Sequence, residues 1–232
     1  NFELLGELDN LEYFKWQRRF REHDSFEIKI NRYKKNANLL GIGKYLAVRR
    51  GDVVRCGKIS WRKLEPREAG KGGEVWLFGG QSGNGILGKR LVLPDKDSVA
   101  GYDEITAPAE TVIKYYLKKN LIKPEDERRK VDYLEIAKDR GRGIQVRAKG
   151  RFEKISELVK SICLLSGLGW DMEFDLKRKK FLFEVRAGED RSGLVLAPRF
   201  DNVKLVRFEE DEFKAENIIY VSNGKTSVSI GG

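Results

Sequence analysis

The chain has 232 residues, which is enough for one large domain or two small ones. It is 40% hydrophobic and 35% charged, and 46 lysines and arginines against 36 acidic residues give a net charge of +10. A basic balance raises the odds of an acidic partner such as nucleic acid, a membrane surface or an acidic protein. The cations are scattered among acids in nearly every segment, however, which favours a well-solvated basic surface.

Scarce residue types limit the chemistry. Cys56 and Cys163 lie far apart and no CxxC occurs, which excludes a zinc site built on cysteine and favours two buried free thiols over a disulfide. His23 is the only histidine, and its neighbours Asp24 and Ser25 are typical of a turn, so we interpret it as a turn residue rather than a catalytic one. No apolar run approaches the ~20 residues that span a membrane, and we expect no signal peptide. Because the chain starts without methionine, we expect it to be part of a longer protein.

The first hundred residues are predicted to form strands. Phe14, Trp16 and Phe20 alternate with polar residues, a polar turn follows at residues 21–25, and residues 26–30 alternate again, which predicts a hairpin. Gly57 is predicted to mark a bulge in a long strand. Strands at this spacing are typical of a barrel or sandwich. The remaining elements predicted here are a helical turn at 37–40 and strands at 45–49, 53–64, 74–78 and 90–93.

The middle of the chain is predicted to be mixed α/β. Thr106 and Pro108 open a helix with one apolar stripe, and strands at 131–136 and 144–148 flank the turn at residues 141–143. The stripe consists of Ala109, Val112, Ile113, Tyr116 and Leu117.

Residues 151–187 predict a helix followed by a hairpin. Gly167 ends the helix, and four cations at 177–180 mark the exposed hairpin turn. Asp171, Glu173 and Asp175 alternate with the aromatic face, so we interpret them as a solvated face. The predicted apolar positions are Phe152, Ile155, Leu158, Val159, Ile162 and Leu165 on the helix, Trp170, Met172 and Phe174 on the first strand, and Phe181, Phe183 and Val185 on the second.

Strands return at residues 203–208 and 215–221, followed by a predicted turn at 223–224. The predicted fold class is therefore α+β and mainly β. It consists of a barrel-like β-domain built from residues 1–104 and 188–232, with an α/β subdomain inserted at 105–187.

Three stretches invite a functional interpretation. Residues 83–90 match GxGxxG and GxxxxGK, but Arg90 replaces the magnesium-binding hydroxyl and no helix follows, so we predict a glycine-rich corner between two strands. The acidic residues 209–212 lack the spacing of a calcium loop and are interpreted as a solvated turn. Trp16, Phe14 and Phe20 with their neighbouring cations could form a stacking platform for nucleic acid, although core packing is favoured. We therefore predict no catalytic, cofactor-binding or metal-binding residue.

Nine motifs follow one another along the chain, at residues 11–20, 24–28, 79–92, 109–113, 139–143, 167–170, 188–191, 200–202 and 217–221. Their order resembles that of a siphophage tail-protein family whose members resemble the tail-tip or baseplate hub of tailed phages. The resemblance covers nearly the whole chain, with two departures: Gln81 stands where the family often has arginine, and the chain stops before the family's C-terminal part.

The resemblance implies a non-enzymatic virion protein with a hub fold. It would join the tail tube to the tip in a ring, by family analogy a homotrimer, and would leave a channel that DNA passes without specific binding. Implied partners are tail tube, tape measure and tip or fibre proteins, and the implied location is the virion tail after synthesis in the bacterial cytoplasm. The alternatives are a basic nucleic-acid-binding β-domain and, with less support, part of a cell-wall-degrading tail enzyme, for which no carboxylate pair can be identified.

Overall fold

The computed structural model describes residues 2–67, 73–94, 101–190, 192–195, 197–200, 218–222 and 227–231. The chain divides into two compact units, Asn1–Gly188 and Glu189–Gly232. In the second unit, the described residues include a short 3-10 helix at Pro198–Phe200 and an antiparallel hairpin of β11 (Ile218–Ser222) and β12 (Ser227–Gly231). The predictions for residues 203–208, 209–212 and 223–224 lie outside the described residues.

The first unit begins with a five-stranded antiparallel sheet that curls into a half barrel. Its spatial order is β1-β2-β5-β4-β3, so β1 and β3 are the edge strands. The predicted hairpin at its start is confirmed by β1 and β2. The strands are β1 (Leu11–Gln17), β2 (Ser25–Asn31), β3 (Tyr45–Arg50), β4 (Val53–Pro66) and β5 (Glu74–Ser82), with a 3-10 helix at Ala37–Leu39.

One face of this sheet has its own small core. The apolar side of β2 alternates inward as predicted, and Leu8 and Leu11 pack against the cluster from the N-terminal segment. Phe14 and Phe20 are 40% and 43% exposed, so their predicted place in the core is wrong. The cluster consists of Phe26, Ile28, Ile30, Ala37, Ile59 and Phe78.

β4 is irregular, but not at the predicted position. The register with β5 shifts between Ile59 and Trp61, so the bulge lies at Ser60 and not at Gly57. Gly57 is required for a different reason, because a Cβ there would lie 2.5 Å from the Phe26 ring and 2.8 Å from the Gln81 carbonyl oxygen.

The rest of the first unit packs two helices against short sheets. The α1 stripe is fully buried as predicted, and α2 ends at Gly167, whose φ of 72° is left-handed. The hairpin of β9 and β10 is confirmed, and β7 adds to it in parallel. The elements are β6 (Asp103–Pro108), α1 (Ala109–Leu117), β7 (Leu134–Ile136), β8 (Gln145–Gly150), α2 (Ile155–Ser166), β9 (Leu168–Asp175) and β10 (Lys180–Ala187), with β6 and β8 forming a two-stranded ribbon.

Two predicted core residues of α2 are exposed. Phe152 precedes the helix with a φ of 58° and is 56% exposed, while Leu165 is 64% exposed. Cys163 takes the buried position instead, and both it and Cys56 are buried free thiols, as predicted. Residues 90–93 do not form a strand, because only an isolated bridge joins Leu91 to Lys154.

A single larger core joins α1, α2 and the three-stranded sheet to Val54 and Cys56 of β4. The fold class is α+β and mainly β, as predicted. The separate division into a β-domain and an inserted subdomain at 105–187 stays a prediction.

Candidate functional site: charge networks and sheet edges

The most distinctive polar feature of the molecule is a buried charge network between the two larger sheets. Arg55 of β4 makes a two-pronged contact with Asp171 of β9, with Nη1 2.7 Å from Oδ1 and Nη2 2.8 Å from Oδ2. The side chain of Asp171 is only 7% exposed, so its predicted place on a solvated face is wrong. The alternation along β9 is as predicted, and Asp175 is exposed and Glu173 partly exposed on that face, but Asp171 lies against β4 and not in water.

The same guanidinium also holds the turn before β2. Its Nη1 lies 3.2 Å from Oδ2 of Asp24, a carboxylate that also accepts the indole N–H of Trp16 at 3.0 Å and the backbone N–H of Arg19 at 3.0 Å. Arg55 thus joins the N-terminal hairpin, β4 and β9 at one point.

Two further arginines approach the rim of the network. Arg18 Nη2 lies 3.2 Å and Arg186 Nη1 3.4 Å from Oδ2 of Asp171. Burial by itself would raise the pKa of Asp171, but the hydrogen bonds and charge of Arg55 outweigh it and hold the pKa below its usual value. The hydrogen bonds to Asp171 raise the pKa of Arg55 in turn. The carboxylates of Asp171 and Asp24 are thus paired with arginines, and these ion pairs stabilise the packing of the two sheets.

A second network fixes the start of α1. Glu110 and Lys114 are fully buried one turn apart, with Nζ 2.6 Å from Oε1, and Lys114 also donates to the carbonyl oxygen of Lys138. Arg142 donates to Glu110 Oε2 through Nε at 2.8 Å and through its backbone N–H at 3.0 Å, and it reaches Glu184 of β10 at 2.8 Å.

This second network shifts the pKa of its central acid. Burial would raise the pKa of Glu110, but hydrogen bonds from Arg142 and Lys114 lower it to about 2. A carboxylate so strongly engaged is a poor general base, because its lone pairs are already occupied. The network ties the turn at residues 139–143 to α1 and β10.

The glycine-rich corner has a packing role. Gly83–Lys89 is a 3-10 helix, which the prediction of a plain corner between two strands did not include. Gly83 lies against the ring of Phe181, where a Cβ would be 2.3 Å from the nearest ring carbon, and Leu87 is fully buried. After it, Arg90 is extended, and its carbonyl oxygen accepts the first N–H of α2 at 2.9 Å. The expectation that this corner binds no nucleotide stays a prediction.

Other candidate residues take structural positions. His23 lies in the turn between β1 and β2, with its Nε2 2.8 Å from the side-chain nitrogen of Gln81, and burial lowers its pKa. Trp16 stacks on Phe26 at 5.3 Å between ring centroids, which removes it from the stacking platform considered for nucleic acid. Where side chains are described, no three His, Cys, Asp or Glu residues come together as a metal site would require.

The edges of the five-stranded sheet are the other feature open to function. Within the described residues, no backbone hydrogen bond reaches β1 or β3 from its outer side. Such edges present unpaired N–H and C=O groups to any strand that can reach them. No helix in the described part of the chain is both long enough and apolar enough to cross a membrane.

A family match covers nearly the whole chain. The model of the family described as Siphovirus ReqiPepy6 Gp37-like protein matches residues 1–229, and the chain belongs to this family. It is thus a siphovirus tail protein, as the resemblance predicted. A search of the curated proteins found no match.

Two solved structures are similar at low identity. One is the E. coli c3393 protein, described as a component of the type VI secretion system with structural similarity to the T4 bacteriophage tail proteins gp27 and gp5, at 10% identity and a TM-score of 0.46. The other is prophage tail protein gp18 from Listeria monocytogenes EGD-e, at 11% identity and a TM-score of 0.44. In both cases the match covers 76% of this chain and 45% of the solved chain. The chain therefore spans less than half of the length of each of these solved structures.

Proposed function

We propose that the protein is a structural component of the phage tail tip, similar to a baseplate hub, which joins the tail tube to the tip. The observation that carries the proposal is the family match over residues 1–229. A role as a rigid connecting part is supported by the Arg55 network and the Glu110 network, because both use buried charges to hold separate elements together. The proposed partners are the tail tube, tape measure and tip or fibre proteins.

The proposed assembly is a ring, specifically a homotrimer, around a channel that DNA passes without specific binding. The open β1 edge leaves surface for a neighbouring copy, and head-to-tail contacts close into rings when the rotation permits. A charge of +10 on each copy opposes self-association at low salt. We therefore expect the ring in the virion and a monomer or weak self-association for this 232-residue chain alone.

The test combines electron microscopy of virions with light scattering. An epitope tag on the protein should label the tail tip, and averaged images should show a ring of copies around the tail axis. Light scattering of the full-length protein at moderate salt and high concentration should show association beyond a dimer. A stable two-fold dimer together with label elsewhere on the virion would overturn the proposal.

A further inference from the structure

The β3–β4 hairpin carries a large local excess of positive charge. Residues 44–63, which span β3 and most of β4, contain seven lysines and arginines and one aspartate, which gives this stretch a net charge of +6. The even scatter of cations among acids seen in most segments does not extend to this hairpin. A local excess of this size attracts an acidic partner far more than the chain average would.

Three of these seven cations contact partners within the molecule, and the other four form no ion pair with a described residue. Arg55 faces Asp171 and Asp24, Lys63 lies 2.6 Å from Glu65, and Arg62 stacks over the Trp76 ring at 5.1 Å. The remaining four cations are exposed and make no ion pair with any described residue; they are Lys44, Arg49, Arg50 and Lys58.

Two of these cations lie on an open edge. Arg49 and Arg50 end β3, the last strand of the sheet, whereas Lys58 lies opposite Tyr45 on the interior strand β4. In an antiparallel ladder, about half of the residues of an edge strand direct both backbone groups outward. Ala47, in the middle of β3, is exposed and has a small side chain. Basic side chains and unpaired backbone groups thus occur on the same strand.

We propose that the β3 edge receives an extended acidic segment of another tail protein, which adds to the sheet as a sixth, antiparallel strand. Backbone hydrogen bonds would supply affinity, and acidic side chains beside Arg49 on one face of the sheet, or beside Arg50 on the other, would set specificity and register. This inference rests on the proposed function, because it names the kind of partner that the tail-tip protein binds.

Two competing roles for the β3 edge fit less well. Charged residues on an edge strand often serve to prevent pairing, but that role does not require four exposed cations in one hairpin that pair with no described acid. A second copy of the chain is the other candidate occupant. Because the sheet has five antiparallel strands, β1 and β3 run in the same direction, so a rotationally related neighbour would pair its β1 in parallel with β3. Parallel pairing is slightly weaker, and pairing of β3 with β3 would bring like charges together.

The experiment uses the 232-residue chain and a labelled peptide of about ten residues that alternates glutamate with threonine, a length typical of a long strand. Fluorescence anisotropy measures binding near ~0.1 M salt, where surface charges are only partly screened, and hydrogen exchange measures protection of residues 45–50. The control peptide replaces each threonine with proline, which keeps the charge but removes the backbone N–H of every second residue and so interrupts strand pairing. We expect the first peptide to bind and to protect β3, and the proline peptide to bind at least about tenfold more weakly.

Matched charge reversals locate the site. Arg49→Glu/Arg50→Glu should weaken binding by about tenfold or more, whereas Arg62→Glu/Lys63→Glu, with the same charge change in the same hairpin but away from the open edge, should change it by less than about threefold. Equal loss in both variants, equal binding of the proline peptide, or no binding of the first peptide would overturn the proposal. Protection of residues 45–50 by self-association without peptide would overturn it as well and assign the edge to a second copy.

These outcomes are separable from the proposed function. Peptide addition at β3 with an epitope tag found away from the tail tip would remove the tail-tip assignment and keep the acidic-strand site. An epitope tag found at the tail tip, together with no peptide binding, would keep the tail-tip assignment and remove the acidic-strand site.

Discussion

Arg55 is the cation that two buried carboxylates share, so its removal leaves Asp171 and Asp24 without their main partner. We expect Arg55→Met to lower the free energy of unfolding by about 3–5 kcal/mol, because an unpaired buried charge costs more than the pair contributes. Urea unfolding followed by tryptophan fluorescence measures this. Arg62→Met, an exposed arginine of the same strand, is the control and should cost far less. If the two variants lowered the free energy of unfolding equally, the carboxylate of Asp171 would have to be hydrated in the folded protein.

Glu110 gives the protein a specific weakness at low pH. Its pKa in the folded protein is about 2, below the ordinary value of 4.5, so its contribution to stability is complete above 4.5 and is lost as the pH falls towards 2. We expect the urea midpoint of the wild type to fall over this window and the fall to be shallower in Glu110→Gln. The measurement is the midpoint between about pH 5 and pH 2.5, and parallel curves for the two proteins would contradict the assignment.

For single residues, the sequence predicts the face of a strand on which a side chain lies, but it does not predict which distant residue contacts that side chain. The alternation along β9 correctly separated Asp171 from Trp170 and Met172, but the partner of Asp171 is 116 positions away in the chain. The predicted bulge at Gly57 failed in the same way, since the Phe26 ring that excludes a side chain there belongs to another strand. Neither contact leaves a periodic signal in the sequence.

Two leucines of α2 test the packing of that helix. Leu158 is 5% exposed in the larger core, whereas Leu165 is 64% exposed although it fits the helical spacing. We expect Leu158→Ala to cost about 2–5 kcal/mol, as buried leucine truncations do, and Leu165→Ala to cost less than about 0.5 kcal/mol. Chemical denaturation of both variants is the measurement. If Leu165→Ala proved the more damaging, α2 would be rotated from its described position.

The elements themselves were predictable where local chemistry decides them. The apolar stripe of α1, the left-handed Gly167 and the cation-rich turn between β9 and β10 follow from spacing and conformational preference alone. The start of α2 was not predictable in this way. The predicted helix included Phe152, but the backbone of Phe152 is left-handed and its N–H donates to the carbonyl oxygen of Val92. That bond depends on where a distant segment lies.

At the scale of the whole molecule, the larger core crosses the boundary predicted near residue 105. Val54 and Cys56 of β4, Leu87 and Val92 pack with α1 and α2, and the Arg55 network adds a polar link. We therefore expect β5 and α2 to lose protection at the same denaturant concentration. Hydrogen exchange with mass spectrometry in rising urea measures this, and Arg55→Met should separate the two transitions. Separate transitions in the wild type would support an independently folding segment at 105–187.

The order of strands in space was the least predictable property. Alternation identified β3, β4 and β5, yet nothing in the sequence states that β4 lies between the other two or that β9 approaches it. Loop lengths favour neighbours along the chain, whereas the contact of β4 with β9 joins residues more than a hundred positions apart, as the 116-residue separation of Arg55 and Asp171 illustrates. The family resemblance, rather than periodicity, is what predicts a hub fold.

The long strand β4 has a mechanical consequence. Its first part pairs with β3 and lies beside β9, while its second part pairs with β5. One continuous backbone therefore contacts all three of these strands. Tension applied along this strand would stress its ladder hydrogen bonds in shear, so that many must break together rather than one after another. We therefore expect β4 to resist extension along its own length.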